Sequence, residues 1–489
     1  MIQEFPILTV IIPLITAFLI PLIGLWKKRY CCYISFLSIL SIFIISVSLL
    51  NSVVDSGTIH YHLGGWEPPY GIEYVVDSLS VFMITLITFI CLLVVIYSKK
   101  SAEKELSDNI VAFYALFMLL ITGLLGIVIT GDLFNLYVFL EISSLAAYAL
   151  IAVGKKRDAL VASFNYLIIG TIAACFILLG IGFLYMVTGS LNMADVSTLL
   201  PKIYTSRVVL AAMIFFIVGL SIKTALFPLH VWLPNAYTHA PSVVSAAIAA
   251  LMTKVGAYVM IRIVFGVFGI RFVTDVLPVT DILSIVAAVA IIVGSINAIA
   301  QTDIKRMLAY SSVSQIGYIV LGIGLANQTG LTGGILHILN HAFMKGCLFL
   351  AVGAIVYKTG IRNIYDFQGL GRKMPYTMAA FSIAALSMVG IPPLCGFFSK
   401  WFLALGAIES EDWRWILALV ILLSSLLNAG YFLRVLEKTW FGKSPHSKMN
   451  EAPTSMLIPT LILAAGCILF GIFVSIPLSI VTSIADTLL

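Results

Sequence analysis

Apolar runs of eighteen or more residues recur from one end of this chain to the other, and no other feature constrains its fold as strongly. Each run is long enough to cross a hydrocarbon core about 30 Å thick. Inside such a core every backbone N–H and C=O must find its partner within the protein, so only helices and closed barrels can span it. Barrel strands would alternate apolar and polar residues over about ten positions, whereas these runs are apolar on every face. The chain is therefore read as an all-α polytopic membrane protein. Charge agrees: 10% of the 489 residues are charged and 61% are hydrophobic, against about 25% charged in an average soluble domain.

The expected spans are residues 5–26, 31–51, 75–98, 109–129, 131–153, 161–187, 207–227, 240–265, 276–301, 305–326, 330–357, 376–408, 413–436 and 454–485, about 14 helices in all. The first run carries Glu4 and no basic flank, so it is read as a retained helix and not a cleaved signal. No linker or low-complexity tract interrupts the series, and residues 1–489 form one transmembrane domain. The longest polar excursion, residues 51–74, lacks Lys and Arg and is expected to cap the bundle on the outside.

Lysine and arginine in the loops set the orientation. With the N-terminus outside, one side receives Lys27, Lys28, Arg29, Lys99, Lys100, Lys104, Lys155, Lys156, Arg157, Lys305, Arg306, Lys358, Arg362, Arg372, Lys373, Lys438, Lys443 and Lys448. The other receives little beyond Lys202, Arg207 and Arg271. Both termini are thus expected on the outer side of a prokaryotic cell membrane. The net charge of +6 is a topology signal, with no continuous basic stripe for nucleic acid. The seven cysteines are scattered, Cys31 and Cys32 being the only close pair, and no spacing suits an iron–sulfur cluster.

Two spans contain breaks. Pro228 interrupts one, and Pro392 with Pro393 interrupts another five helices later; proline inside a helix removes a hydrogen bond and clashes with the preceding turn. Ordinary kinks would account for this, but each break also has a lysine within about two turns. Paired broken helices in corresponding positions are the pattern of transporters built from inverted repeats, with the site at the midplane.

Glu141, Lys223, Lys254 and Lys400 are interior to their spans, and "HILNHAFMKGCLF" places His337, His341 and Lys345 on one helix face. A charge at the bilayer centre costs about 2.5–3.5 kcal/mol on insertion scales, so it persists where it is paired or lines a watered path. Snorkelling to the interface is open to Lys223 and Lys345 but not to Lys254, which lies roughly 18 Å from either end of its span. Glu141 is either static neutralisation for a lysine or half of a switch: burial disfavours charge, a partner favours it, and a pair that opens and closes moves a proton. The histidine stripe suits proton passage between waters. A zinc site lacks further ligands, and two stacked haems would need histidines on two helices, so no cofactor or metal is expected. His230 and His239 flank the first break, either as hydrogen-bonded structural residues or as relays. "GKS" at 442–444 has Glu437 where a phosphate-binding loop needs glycine.

Three stretches, "KTALFPLHVWLPNAYTHAPSVVSAAIAALMTKVGAY", "LAYSSVSQIGYI" and "HAFMKGCLFL", resemble the antiporter-like subunits shared by respiratory complex I, Mrp-type Na+/H+ antiporters and membrane-bound hydrogenases. The resemblance covers about residues 75–440, and "GDLFNLYVFLEISSLAAYALIA" looks most like the MrpD branch. It implies 14 helices with inverted five-helix repeats at 109–265 and 276–436. It further implies that Glu141 and Lys223 form the switch pair, Lys254 the central relay, His337 and His341 the connecting path, and Lys400 the terminal release residue. Some relatives carry glutamate at that last position. The implied function is a proton-translocating subunit of a multi-subunit cation/proton antiporter, with a pump module of a redox complex as the alternative. Its partners would be other membrane subunits, H+ and Na+. Any redox centre would sit in those partners, which leaves open whether the chain is part of an enzyme.

Overall fold

Asp77, Asp132, Asp303 and Asn327 each precede an apolar run, and each accepts a backbone N–H of the first turn that follows, so four of the helices begin at a side-chain cap. The structure, a computed structural model, describes residues 4–154, 156–410, 412–442 and 450–489. Lys155, Lys443 and Lys448 of the expected basic loops, and all but Gly442 of the GKS stretch, lie outside the described residues.

The chain opens with α1 (Phe5–Trp26) and α2 (Tyr30–Ser56), then an antiparallel hairpin of β1 (Ile59–His62) and β2 (Glu73–Val76), with His62 opposite Glu73. Next come α3 (Ser78–Glu105), α4 (Ile110–Ile129), α5 (Leu133–Ala152), α6 (Arg157–Thr188), the short α7 (Met193–Leu199), α8 (Arg207–Thr224), α9 (Trp232–His239) and α10 (Ser242–Ile261). The remainder is α11 (Val279–Ile299), α12 (Ile304–Leu325), α13 (Gln328–Thr359), α14 (Pro375–Val389), α15 (Cys395–Glu409), α16 (Ile416–Phe441), α17 (Thr454–Ile472) and α18 (Ser475–Leu488). Among the described residues, 13 helices are long and apolar enough to cross a membrane. α14 and α18 are apolar but shorter than these, and the chain is a multi-pass membrane protein.

Both expected breaks are present. α8 stops at Ala225, a non-glycine residue in the left-handed region (φ 59°), before the turns around Pro228. The indole N–H of Trp232 donates to the Ile222 carbonyl (2.9 Å), which also accepts the Ala225 N–H (3.0 Å) where the helix ends. α14 stops at Gly390 (φ 93°), ahead of Pro392 and Pro393. One break was not expected: residues 454–485 form two helices. Pro477 sits in the first turn of α18, where its missing N–H costs nothing, and so begins a helix instead of continuing one.

Contacts between loops define two ends of the bundle. At one, which we call the basic face, Ser242 N–H donates to Glu105 (2.8 Å), Arg362 to the Thr238 carbonyl (3.0 Å) and Gly369 N–H to the Lys438 carbonyl (3.1 Å). At the other, the hairpin face, Gly131 N–H donates to the Glu73 carbonyl (2.9 Å) and Asn192 to the Glu73 carboxylate (3.0 Å). Arg262 and Arg414 add to the few cations expected there, paired with Asp77 and Asp281 respectively.

Several features occur twice at one constant spacing in the sequence. Asp132 caps α5 at the hairpin face and Asp303 caps α12 at the basic face; each bridges an asparagine, Asn192 or Asn363. Gly189 and Gly360 end 32-residue helices in the left-handed conformation. The centre of the molecule is α10, α12 and α13, whose residues are almost all buried, while α1, α6 and α16 turn side chains such as Phe18, Phe164 and Leu426 outward.

Candidate functional site

Lys223 lies in the last turn of α8, where the unpaired carbonyls of a helix end favour a cation. Its ammonium donates to Glu141 Oε1 (3.1 Å) and to Ser144 Oγ (2.7 Å), both on α5. Glu141 and Ser144 are three residues apart and so share a face of that helix. The lysine side chain is buried and the glutamate is the more open of the two. Lys223 thus turns to a partner inside the protein and does not snorkel.

Lys254 is fully buried on α10. Its ammonium donates to the Ala249 carbonyl of its own helix, and no carboxylate among the described residues pairs with it. Gly256, two residues on, lets α10 close upon the end of α8: an added Cβ would stand 3.0 Å from Thr224 Cγ2. α8, whose last turn carries the paired lysine, and α10, which carries the lone one, are thus in close contact.

On α13, His337 bridges two helices. Its Nε2 donates to the Gln315 amide oxygen of α12 (3.0 Å), leaving Nδ1 to accept from Ser399 Oγ of α15 (2.8 Å). His341 stacks beneath it at 5.8 Å between ring centroids, and neither of its nitrogens has a partner. A buried imidazole without hydrogen bonds is costly, and nitrogens free to change partners are what a relay needs. Lys345 turns to α12, donating to the Leu308 carbonyl (2.7 Å) and to Ser311. His341 lies within electrostatic reach of both Lys254 and Lys345, and His337 of both Lys254 and Lys400.

Lys400 occupies the second break. It donates to the Met388 (2.9 Å) and Val389 (3.0 Å) carbonyls at the end of α14 and to Ser425 Oγ (3.2 Å), 5.0 Å over the Tyr318 ring. The two broken helices thus each hold a lysine: Lys223 before its break, Lys400 after its own. His230 sits at the rim of the first break between Phe227 and Tyr310, with Nδ1 unpaired. His239, at the end of α9, faces Asp158, Arg362 and Asp303 on the basic face and stands apart from the row.

The site residues that sequence reasoning missed are mostly partners. Ser144, Gln315 and Ser399 are ordinary residues until the fold sets them against Lys223 and His337. Lys305, assigned to a loop, is buried in the first turn of α12 and donates to the Ala240 carbonyl (2.9 Å) and Ser245 Oγ (3.3 Å). The Asp303 cap marks that turn as helical and was the signal available. Among the described residues no three His, Cys, Asp or Glu side chains converge as a metal site requires. The row consists of groups that hold or pass protons.

Residues 130–427 match the family described as "NADH:quinone oxidoreductase/Mrp antiporter, TM". Subunit N of NADH-quinone oxidoreductase from Desulforudis audaxviator is 46% identical, over 97% of this chain and 96% of that one. The D-type component of the Na(+)/H(+) antiporter from Alkalihalophilus pseudofirmus is 32% identical, over 94% and 93%. A chain of the membrane-bound sulfane sulfur reductase, an archaeal respiratory membrane complex, superposes with a TM-score of 0.92 at 32% identity, covering 99% of this chain and 98% of that one.

Proposed function

The chain belongs to the membrane family shared by NADH:quinone oxidoreductases and Mrp antiporters, and we propose that it carries protons along Glu141, Lys223, Lys254, His341, His337 and Lys400. It is an antiporter-like subunit of a multi-subunit membrane assembly. The observation that carries the proposed path is the row itself, in which one ion pair is followed by lysines and histidines held by neutral acceptors or by none. When Lys223 leaves Glu141 it loses the charge that holds its proton, and Lys254 on the adjoining helix takes up the displaced charge. His341 and His337 connect Lys254 to Lys400, whose ammonium rests on the carbonyls of a helix end. Lys345 is a side branch, and His230 and His239 line the approach from the basic face.

We read residues 109–265 and 276–436 as inverted repeats, supported by capping residues that recur at one spacing but at opposite faces. The basic face is read as cytoplasmic, with the hairpin and both termini outside, supported by the loop lysines and arginines. Two energy sources fit this family. The 46% likeness over nearly the whole chain favours a module driven by a redox partner; the 32% likeness to an antiporter component supports Na+/H+ exchange.

Replacing Glu141 or Lys223 with alanine is expected to abolish translocation in vesicles holding the whole complex while assembly persists, and full transport by Lys223→Ala would sink the path. Purification in mild detergent followed by electron paramagnetic resonance of the reduced particle separates the two energy sources. Iron–sulfur signals with large soluble subunits mark the redox module; small membrane subunits without such signals mark the antiporter.

A further inference from the structure

A cavity of about 240 Å³ opens at the hairpin face, and nothing in the proton path uses it. His60 and Glu73 stand at its rim, with Nδ1 of the histidine 2.6 Å from Oε1 of the carboxylate; Tyr258, Arg262 and Ser80 form its floor. The Arg262 guanidinium donates to both oxygens of Asp77 (2.6 Å from Nη1 to Oδ2), to Ser80 Oγ (2.8 Å) and, through Nε, to the Tyr258 hydroxyl (2.9 Å). That hydroxyl in turn donates to the Val128 carbonyl (2.7 Å). Lys254, Tyr258 and Arg262, the last at the C-cap of α10, follow one another at four-residue intervals, so Arg262 lies about 12 Å along the helix from the central lysine.

A cavity of this size that offers the polar groups of His60, Glu73, Ser80 and Arg262 has room and partners for water, and a tyrosine between it and a buried lysine would ordinarily extend a proton wire to the hairpin face. Here the hydroxyl proton is held by the Val128 carbonyl, and the oxygen faces Ser80 Oγ at 3.4 Å and a donor that keeps its proton: guanidinium has no acceptor and does not deprotonate in proteins. Lysine, by contrast, gives up its proton readily when buried. Burial pushes the Asp77 carboxyl up, but the Arg262 charge and the Ser80 N–H outweigh it and hold the carboxyl below its ordinary value, which keeps the pair ionised. An arginine at a constriction is a known way to exclude protons from a water-filled pore.

We propose that Arg262 is a proton stopper: pinned by Asp77, Ser80 and Tyr258, it closes the Glu141–Lys223–Lys254 half of the path to the hairpin face, so that protons on Lys254 can leave only sideways, toward His341. This rests on the reading of Lys254 as the central relay. Without the stopper the half-path would connect both sides of the membrane and dissipate the gradient it serves.

The test is the decay of an imposed pH gradient across vesicles containing the intact complex, without driving substrate. Arg262→Gln is expected to speed the decay several-fold over the parent, and Arg262→Lys to leak as well, because its ammonium can pass a proton on. Adding Lys254→Ala to either variant is expected to restore tightness. A tight Arg262→Gln overturns the proposal, and so does a leak that survives Lys254→Ala, which would report a general loosening. A tight Arg262→Lys would reduce Arg262 to an ion-pair anchor. Should Arg262→Gln not assemble, Arg262→Lys carries the same test. The relay reading is judged separately: if Lys254→Ala alone leaves driven transport intact, that reading fails whatever the leak shows.

Discussion

At the scale of single residues, the charged groups of the proposed path are held by neutral partners as much as by one another. Ser144 accepts from the Lys223 ammonium at 2.7 Å, and a hydrogen bond to a charged group contributes about 1.5–3 kcal/mol. Ser144→Ala should therefore change the cost of separating Lys223 from Glu141 and alter the translocation rate by roughly ten-fold. Driven proton uptake in vesicles checks this; an unchanged rate would mean the serine is incidental. His337 and His341 should differ. His341 has no partner to lose, so His341→Phe is expected to stop transport with little effect on assembly. Replacing His337 also strands Gln315 and Ser399, and its variants should show lower thermal stability in detergent. The charges themselves were legible in the sequence because they stand out in apolar runs. Their partners were not: Ser144 and Lys223, or His337 and Ser399, meet across helices far apart in the chain, and Gln315 meets His337 only once α12 and α13 are packed in register.

At the scale of elements, the two breaks are built differently and should respond differently. Gly390 adopts φ 93°, and a Cβ there would stand 3.1 Å from Lys400 Cδ. Gly390→Ala is expected to cost about 1–2 kcal/mol of stability and to push Lys400 off the α14 carbonyls, so transport should fall along with the melting temperature. Ala225 already holds the left-handed conformation with a side chain (φ 59°). Ala225→Gly should relieve up to about 1 kcal/mol, an increment trimmed by the greater freedom of glycine in the unfolded chain; a lower melting temperature would contradict this. Pro228, Pro392 and Pro393 made both breaks legible. The separation of α17 from α18 was not, because proline has no single meaning in an apolar run. Pro459 lies within α17 without ending it, whereas Pro477 starts a new helix.

At the scale of the whole molecule, the two faces give the orientation a direct test. Tyr70, almost fully exposed beside the hairpin, and Lys358, at the basic face, mark opposite ends. In intact cells, a membrane-impermeant thiol reagent should label Tyr70→Cys and spare Lys358→Cys until the membrane is opened; the reverse pattern would invert the orientation. α13 touches α3, α10, α12, α14, α15, α17 and α18, and its apolar stretch is wholly enclosed. A rod gripped on all sides cannot serve as a piston, because sliding or turning it would shear every neighbour at once in a close-packed interior. His337, His341 and Lys345 therefore ride on a fixed axle, and a proton passed along them is expected to move by side-chain rotation, not by the travel of helices. On this reading, whatever powers the subunit from a neighbour would reach its centre as an electric field, handed from charge to charge, and not as mechanical force.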